Sequence, residues 1–553
     1  MSTMTTPARR PADDSAWAPL AGRVFRALWI AQLVSNVGSW MQTVGAQWLL
    51  VGHDAALLAL VQTAASLPVV LLALPAGVLA DRRDRRSVLV AAQVVMLLVA
   101  TVLAVLAFAG ALTPGPLLGL TFLLGCGTAV MGPAWQAVQP ELVERRQLGQ
   151  AAALGAVNMN LARAVGPAVG GAVVAAAGAG WVFAFNAASY LCVLVVLLRW
   201  HRTAPQDGPA GGAEGLLAAV HAGRRYIRYA PGVRRVLLRT ALFVPGAGAL
   251  WALLPLVARR SLGLGPGGYG LLLGAVGVGA VGGAFALPLL RRRLGANGTL
   301  VAGTIALAGV LAVLATVRLP WLVGLALLPA GVAWIGVLST LNAAVQTRLP
   351  GWVRARGLAV QLLVFQGGQA LAAPLWGVLA ERHGPGVALL TAGAVLLAGA
   401  VGARRLPLYD GDGVDPTPSG HWPRPPLVVE PAHADGPVLV TVEYRVEPEQ
   451  RAAFTGRMRR VAASRRRTGA LSWGLYQDGG EPERFVETYL VSSWAEHLAQ
   501  HDGRLTAADR RDEEEARSLL RPGTAPAVTH AFDVSAGPLP PATGARDPGP
   551  SAA

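Results

Sequence analysis

Twelve apolar stretches recur between residues 26 and 403, each close to the roughly 20 residues that a helix needs to cross a hydrocarbon core of about 30 Å. They run at 26–51, 56–80, 88–110, 115–139, 150–177, 180–200, 236–258, 268–290, 298–317, 321–347, 357–380 and 385–403. Lipid offers no partner to a backbone N–H or C=O, so a span of this length must bond within itself, which selects the α-helix. Charged residues make up only 14% of the chain, against about 25% in an ordinary soluble protein. The expected fold class is an all-α membrane protein, twelve transmembrane helices in two six-helix bundles, followed by a small ferredoxin-like α+β domain.

A formal net charge of +16 invites a nucleic-acid reading, and its distribution argues against one. Residues 411–553 carry 16 of the 47 basic and 20 of the 31 acidic residues, so the whole excess lies in the apolar part. There it forms short arginine clusters between apolar runs, not a groove for phosphates. The loops after spans 2, 4, 8 and 10 hold twelve arginines and those after spans 1, 3, 5, 7, 9 and 11 hold four. Positive loops stay inside, so both termini are expected in the cytoplasm. Cys126 and Cys192 sit in separate apolar runs, with no metal-ligand or disulfide spacing. The polar leader lacks a small-residue cleavage site, so span 1 reads as a retained anchor.

The organisation follows as a disordered leader (1–22), an N-terminal six-helix bundle (23–200), a linker with an amphipathic helix (201–235) and a C-terminal six-helix bundle (236–406). A Pro/Gly-rich tether (407–436), an α+β domain (437–536) and a disordered tail (537–553) complete it. Ala137-Val138-Gln139 near the end of span 4 repeats as Ala344-Val345-Gln346 in span 10, an offset of 207 residues, which points to duplication. In the linker, Leu216, Leu217, Val220 and Ile227 oppose Arg224, Arg225 and Arg228, as on a helix lying along a membrane surface.

The loop after span 2 reads Gly77-Val78-Leu79-Ala80-Asp81-Arg82-Arg83-Asp84-Arg85-Arg86 and resembles the GxLaDrxGrr signature of the major facilitator superfamily. The resemblance implies a cytoplasmic latch of Gly77, Asp81, Arg82, Arg85 and Arg86, with Glu141 or Glu144 as the partner of Arg85. A purely topological role for these charges is the alternative. Asp84 stands where the family has its second glycine, and Pro288 lies opposite Asp81 in the second half. In span 5, Gly166-Pro167-Ala168-Val169-Gly170-Gly171 looks like the family's antiporter signature, in which small residues allow close helix contact.

Arg163 is the clearest charge inside a span. Burial at that depth is costly, so it either faces a cavity and attracts an anionic cargo or bonds structurally to neighbours such as Asn160. No Asp, Glu or His lies near the centre of a span, so the usual buried proton site is missing. Asn36, Trp40, Gln136, Asn160, Arg163, Asn342 and Gln346 are the candidates to line a cavity for a bulky amphipathic molecule.

Phe25-Arg26-Ala27-Leu28-Trp29, the segment Pro133 to Val143, and Asn160 to Gly171 together resemble the enterobactin-exporter-like branch, the transmembrane secretion effectors. The resemblance covers about residues 20 to 405. It implies a multi-pass carrier of the bacterial cytoplasmic membrane that exports a siderophore-like or drug-like molecule; the partners expected are that cargo and membrane lipid, with no nucleic acid and no cofactor. The tail reads βαββαβ and resembles dimeric α+β-barrel domains related to antibiotic-biosynthesis monooxygenases, which implies a possible homodimer; the chain as a whole is not expected to be an enzyme, and the tail's activity stays open. His497 and His501 are four apart on a helix there; they fit a metal or haem site or, more simply, a solvated face, and no metal is expected.

Overall fold

A computed structural model describes residues 15–200, 216–408 and 415–535, without 424, 426 and 430, and residue 539. Most of the leader, the first part of the linker, residues 409–414 of the tether and nearly all of the final tail lie outside the described residues. The chain divides into two compact units, one of residues 1–211, 237–341 and 359–407, the other of 212–236, 342–358 and 408–553.

The first unit holds the apolar helices α1 (Arg23–Leu50), α2 (Ala55–Arg82), α3 (Arg85–Phe108), α4 (Pro114–Leu142), α5 (Leu148–Ala177) and α6 (Ala179–Arg199). After the short α7 (Leu216–Tyr229), which belongs to the second unit, come α8 (Pro231–Leu256), α9 (Pro266–Thr316), α10 (Pro320–Arg348), α11 (Gly351–His383) and α12 (Pro385–Ala403). α8 starts at Pro231, five residues inside the expected linker, because proline suits the first helical turn, where no intrahelical N–H is needed.

Among the described residues, ten helices are long and apolar enough to cross a membrane. α1 falls outside that set because Gln32, Asn36, Gln42 and Gln47 dilute its apolar residues. α9 is 51 residues long, and Gly295 breaks it with φ 66°, a left-handed conformation that glycine alone adopts without strain. The break turns one continuous helix into two arms. The 207-residue offset maps α1 to 230–257 and α4 to 321–349, each within one residue of α8 and α10. The core of the first half joins Leu28 of α1, Leu89 of α3, Ala134 and Val138 of α4, and Val193 and Leu197 of α6.

The second unit is built on a four-stranded antiparallel sheet in the order β2-β3-β1-β4. Its strands are β1 (Val438–Arg445), β2 (Ala470–Gln477), β3 (Arg484–Val491) and β4 (Ala527–Phe532), with helices α13 (Arg451–Thr468), α14 (Trp494–Ala499) and α15 (Ala507–Arg517). Alternation along β1 and β3 turns Val438, Val440, Val442, Phe485, Tyr489 and Val491 onto Phe454, Met458 and Val461 of α13. The helices lie against this face, and the opposite face carries Leu439, Thr441, Thr488 and Leu490. The stretch read as a tether runs along the domain: Pro418 pairs with Thr506, and Trp422 Nε1 donates to Glu513 at 2.9 Å.

α7 belongs to this unit and packs against α13. Arg225 pairs with Glu496 at 2.5 Å, and Arg504 joins the same carboxylate at 2.6 Å. Arg504 also lies 4.8 Å from the ring centroid of Trp352, in the first turn of α11, and Tyr226 meets that ring edge-on at 5.6 Å. The arginine face expected to look at lipid headgroups is thus partly engaged by the tail domain; the side chains of residues 216–222 lie outside the described residues.

Candidate functional site

The two halves of the first unit meet through α1, α2 and α5 on one side and α8, α9 and α11 on the other. Bonds joining them gather at the end away from the arginine-rich loops. The Ala55 amide donates to Glu381 at 2.7 Å, Arg260 lies 3.8 Å from the same carboxylate, and Arg260 also donates to the His53 carbonyl at 3.2 Å. Deeper in, the Tyr269 hydroxyl donates to Gln47, whose amide donates to the Trp251 carbonyl at 3.3 Å. Gln62 donates to Gln369 at 2.8 Å, and the Thr63 hydroxyl to the Ala370 carbonyl at 2.9 Å.

Glycines make this approach possible. A Cβ on Gly171 would stand 2.8 Å from the Gly270 Cα, inside the distance that real side chains tolerate. On the same helix, a Cβ on Gly166 or Gly170 would press on Trp40 or Met41 of α1 at 2.6 and 2.7 Å. Pro167, between them, is buried, and its carbonyl faces Gly270. The small residues of α5 therefore serve two contacts, one inside the first half and one across to α9.

A series of aromatic rings starts on the first half at Trp40 and continues into the second. Trp40 lies 5.9 Å from Trp251, Trp251 5.2 Å from Trp334, and Trp334 6.1 Å from Phe365. Arg163 stands at one end, its guanidinium 5.6 Å from the Trp40 ring centroid. Its Nη1 is 3.5 Å from the Asn160 oxygen, the long limit of a hydrogen bond, and its buried Nε has no partner. Trp251 Nε1 and Gln361 Oε1 are likewise buried and unpartnered. Leaving such groups unsatisfied costs about 1–3 kcal/mol each, which a bound polar molecule would recover.

The other candidates fall differently. Asn36 is taken up in a network in which it accepts from Gln32 at 3.1 Å and donates to Asn158 at 2.8 Å. Asn160 donates to the Ala156 carbonyl, and Gln136 is exposed. Asn342 and Gln346 are exposed on the last turns of α10, which belong to the second unit. Sequence reading missed Trp251 and Phe365, because no local pattern sets an aromatic residue inside the bundle apart from one facing lipid.

In the arginine-rich loop, Arg85 pairs with Glu141 at 2.8 Å. Arg86 donates to the Leu197 and Leu198 carbonyls, both at 2.9 Å, and so caps the end of α6, where its charge also suits the helix dipole. Asp84, the departure from the signature, accepts from the Ser87 amide at 2.8 Å and caps the start of α3. No described atom lies within 4 Å of a Cβ built on Gly77, so this glycine permits no close approach among the described residues. The side chains of Asp81 and Arg82 lie outside them.

The tail holds the second polar concentration. His497 is 1% exposed, which corrects the solvated-face reading. Its Nε2 lies 2.9 Å from that of His530, on β4, and 3.2 Å from that of His501, while Nδ1 faces Gln500 at 3.1 Å. Burial first, then the neighbouring histidines, push His497 down to about 3, and burial pushes His530 down to about 4. The cluster is neutral at physiological pH. No group of three His, Cys, Asp or Glu side chains among the described residues is placed to hold a metal.

A family model described as transmembrane secretion effector matches residues 14–537. The chain is 28% identical to the staphyloferrin A transporter of Staphylococcus aureus over 168 residues, covering 30% of this chain and 42% of that one. It is 28% identical to the enterobactin exporter EntS of Shigella boydii over 408 residues, covering 69% and 92%, and 25% identical to the multidrug efflux pump Tap of Mycolicibacterium fortuitum, covering 64% and 88%. Among solved structures, a mutant of the nucleoside transporter NupG superposes with TM-score 0.59 at 13% identity, covering 69% of this chain and 99% of that one. A bacterial homologue of the human lysosomal transporter Spinster gives TM-score 0.55 at 14% identity, covering 72% and 96%. Apolar helices related by an internal duplication, joined through glycine contacts and matched along nearly their whole length by one family model, place the chain in the transmembrane secretion effector family of major facilitator superfamily transporters.

Proposed function

We propose that the protein is an exporter of the bacterial cytoplasmic membrane that works by alternating access, with twelve crossings and both termini in the cytoplasm. The two arms of α9, together with α1 and the other apolar helices, supply twelve spans. With the halves bonded at the arginine-poor end, the captured conformation is the one closed to the outside. Asp81 belongs to the latch of the opposite state, and the Arg85–Glu141 pair, already formed within the first half, holds the loop in place for it.

The cargo is a small amphipathic molecule, siderophore-like or drug-like, with aromatic and anionic character. The observation that carries this reading is the unpartnered Arg163 Nε at the end of the Trp40–Trp251–Trp334 series. Siderophore and drug carriers among the relatives support the substrate class. Arg163→Ala should reduce export of an anionic aromatic compound by about tenfold or more while sparing a neutral analogue. Equal loss for both compounds in everted vesicles would show a structural arginine and remove the cargo reading.

The tail's strand order 4-1-3-2 supports a ferredoxin-like domain of the dimeric α+β-barrel kind. Its open sheet face, with Leu439 39% and Tyr476 61% exposed, offers a surface for a second copy. Light scattering of the full chain in detergent should give a dimer that Leu439→Arg converts to a monomer.

A further inference from the structure

We propose that a cleft between α8, the second arm of α9, α10 and α12 binds an anionic phospholipid, with the headgroup phosphate on Arg239 and an acyl chain along its apolar walls. The cleft is lined by Phe243, Val301, Thr304, Val337 and Leu396 beside Arg239. Arg239 is 6% exposed. Its Nε donates to the Leu406 carbonyl at 2.7 Å and its Nη2 to the Ala403 carbonyl at 2.8 Å, while Nη1 is buried with no partner.

Among the described residues this guanidinium has no acidic partner. Residues 236–258, 298–316, 320–348 and 385–408, which form the walls, contain no Asp or Glu. Two carbonyl dipoles do not neutralise a buried cation, and with no acid on these walls among the described residues the site suits an anion from outside the protein. Arg239 lies in the third turn of α8, and its carbonyl partners close the end of α12, which sets it near the helix ends, at headgroup depth. Arg404 and Arg405, both exposed, follow Ala403 directly and add positive charge at that end. A basic pocket between helices on the arginine-rich side suits an anionic headgroup, and the aliphatic lining selects a lipid over a soluble anion. The inference requires a membrane protein, as family membership establishes, and is independent of the cargo.

The full-length protein in neutral detergent is titrated with phosphatidylglycerol, phosphatidylcholine or inorganic phosphate, and bound lipid is read by native mass spectrometry. Retention of phosphatidylglycerol is expected to exceed that of phosphatidylcholine by roughly tenfold or more, with the preference lost in Arg239→Gln. Because that change also removes the bonds to α12, Val301→Trp is tested beside it; it keeps the guanidinium, fills the cleft and should abolish retention. Equal retention of the two lipids by the unmodified protein, a preference that survives either substitution, or displacement of phosphatidylglycerol by millimolar inorganic phosphate overturns the proposal.

Discussion

Arg465 is buried between Glu487 and Glu513 at the polar centre of the tail. It lies 3.1 Å from Glu487 and bonds Glu513, with its guanidinium 4.6 Å from the Trp422 ring centroid. Tyr444 and Trp473 also donate to Glu487, and Trp422 to Glu513. Burial alone would raise the Glu513 pKa, but Arg465, His421 and Trp422 outweigh it and hold it at about 2. Removing one partner from a set like this costs about 3–5 kcal/mol, because the remainder is left charged and dry. The histidines respond to pH over a different range. With folded values of about 3 and 4 against an ordinary 6.5, His497 and His530 stabilise the fold fully above pH 6.5 and lose that contribution on acidification toward pH 4. Tail unfolding followed by near-UV circular dichroism of the full chain should lose about 3 kcal/mol between pH 7 and pH 4 from the buried His497 alone, with a smaller, solvent-screened share from His530. His530→Phe should flatten that dependence. None of this was legible locally: His530 lies 33 residues from His497, and only the pairing of β4 with β1 brings them together.

At the scale of elements, length and composition made most spans readable, since about 20 apolar residues have one helical solution in lipid. The break in α9 was foreseen as a loop, yet helix runs to both sides of it, and Gly295 does with one residue what a loop would do with several. The small-residue run of α5 was visible too, but not what it touches. Gly166 and Gly170 approach α1 and Gly171 approaches α9, so one helix couples the two halves. Gly171→Val should leave the protein inserted and folded while lowering transport by about tenfold or more, since only 2.8 Å separates a new Cβ from the Gly270 Cα and the two halves must splay there. Membrane fractionation and vesicle uptake measured together check this. Unchanged transport would show that the contact is incidental to the cycle.

For the whole molecule, the arginine bias predicts which end faces the cytoplasm, and the inter-half bonds predict which end is shut. With Cys126 and Cys192 replaced by alanine, His53→Cys should react with a membrane-impermeant maleimide in intact cells, and Gly149→Cys only after permeabilisation. The reverse pattern would invert the topology. The second unit gathers the tail, α7 and the turn between α10 and α11 through Arg225, Arg504, Tyr226 and Trp352. That assembly was not foreseen, because its members come from three places in the chain and each reads locally as an ordinary exposed arginine or aromatic residue.

The sequence by itself determined the membrane environment, the duplication, the strand and helix order of the tail, and the pairing of Arg85 with an acid at the end of α4. These depend on composition, period and short motifs, which the solvent reads one segment at a time. Only the tertiary structure decided that Trp40, Trp251 and Trp334 form one series beside Arg163, that Arg239 has no acidic partner among the described residues, and that His497, His501 and His530 share one neutral cluster. Each of those depends on which faces meet and which partners are absent, and burial becomes costly or useful only once distant segments have excluded water together.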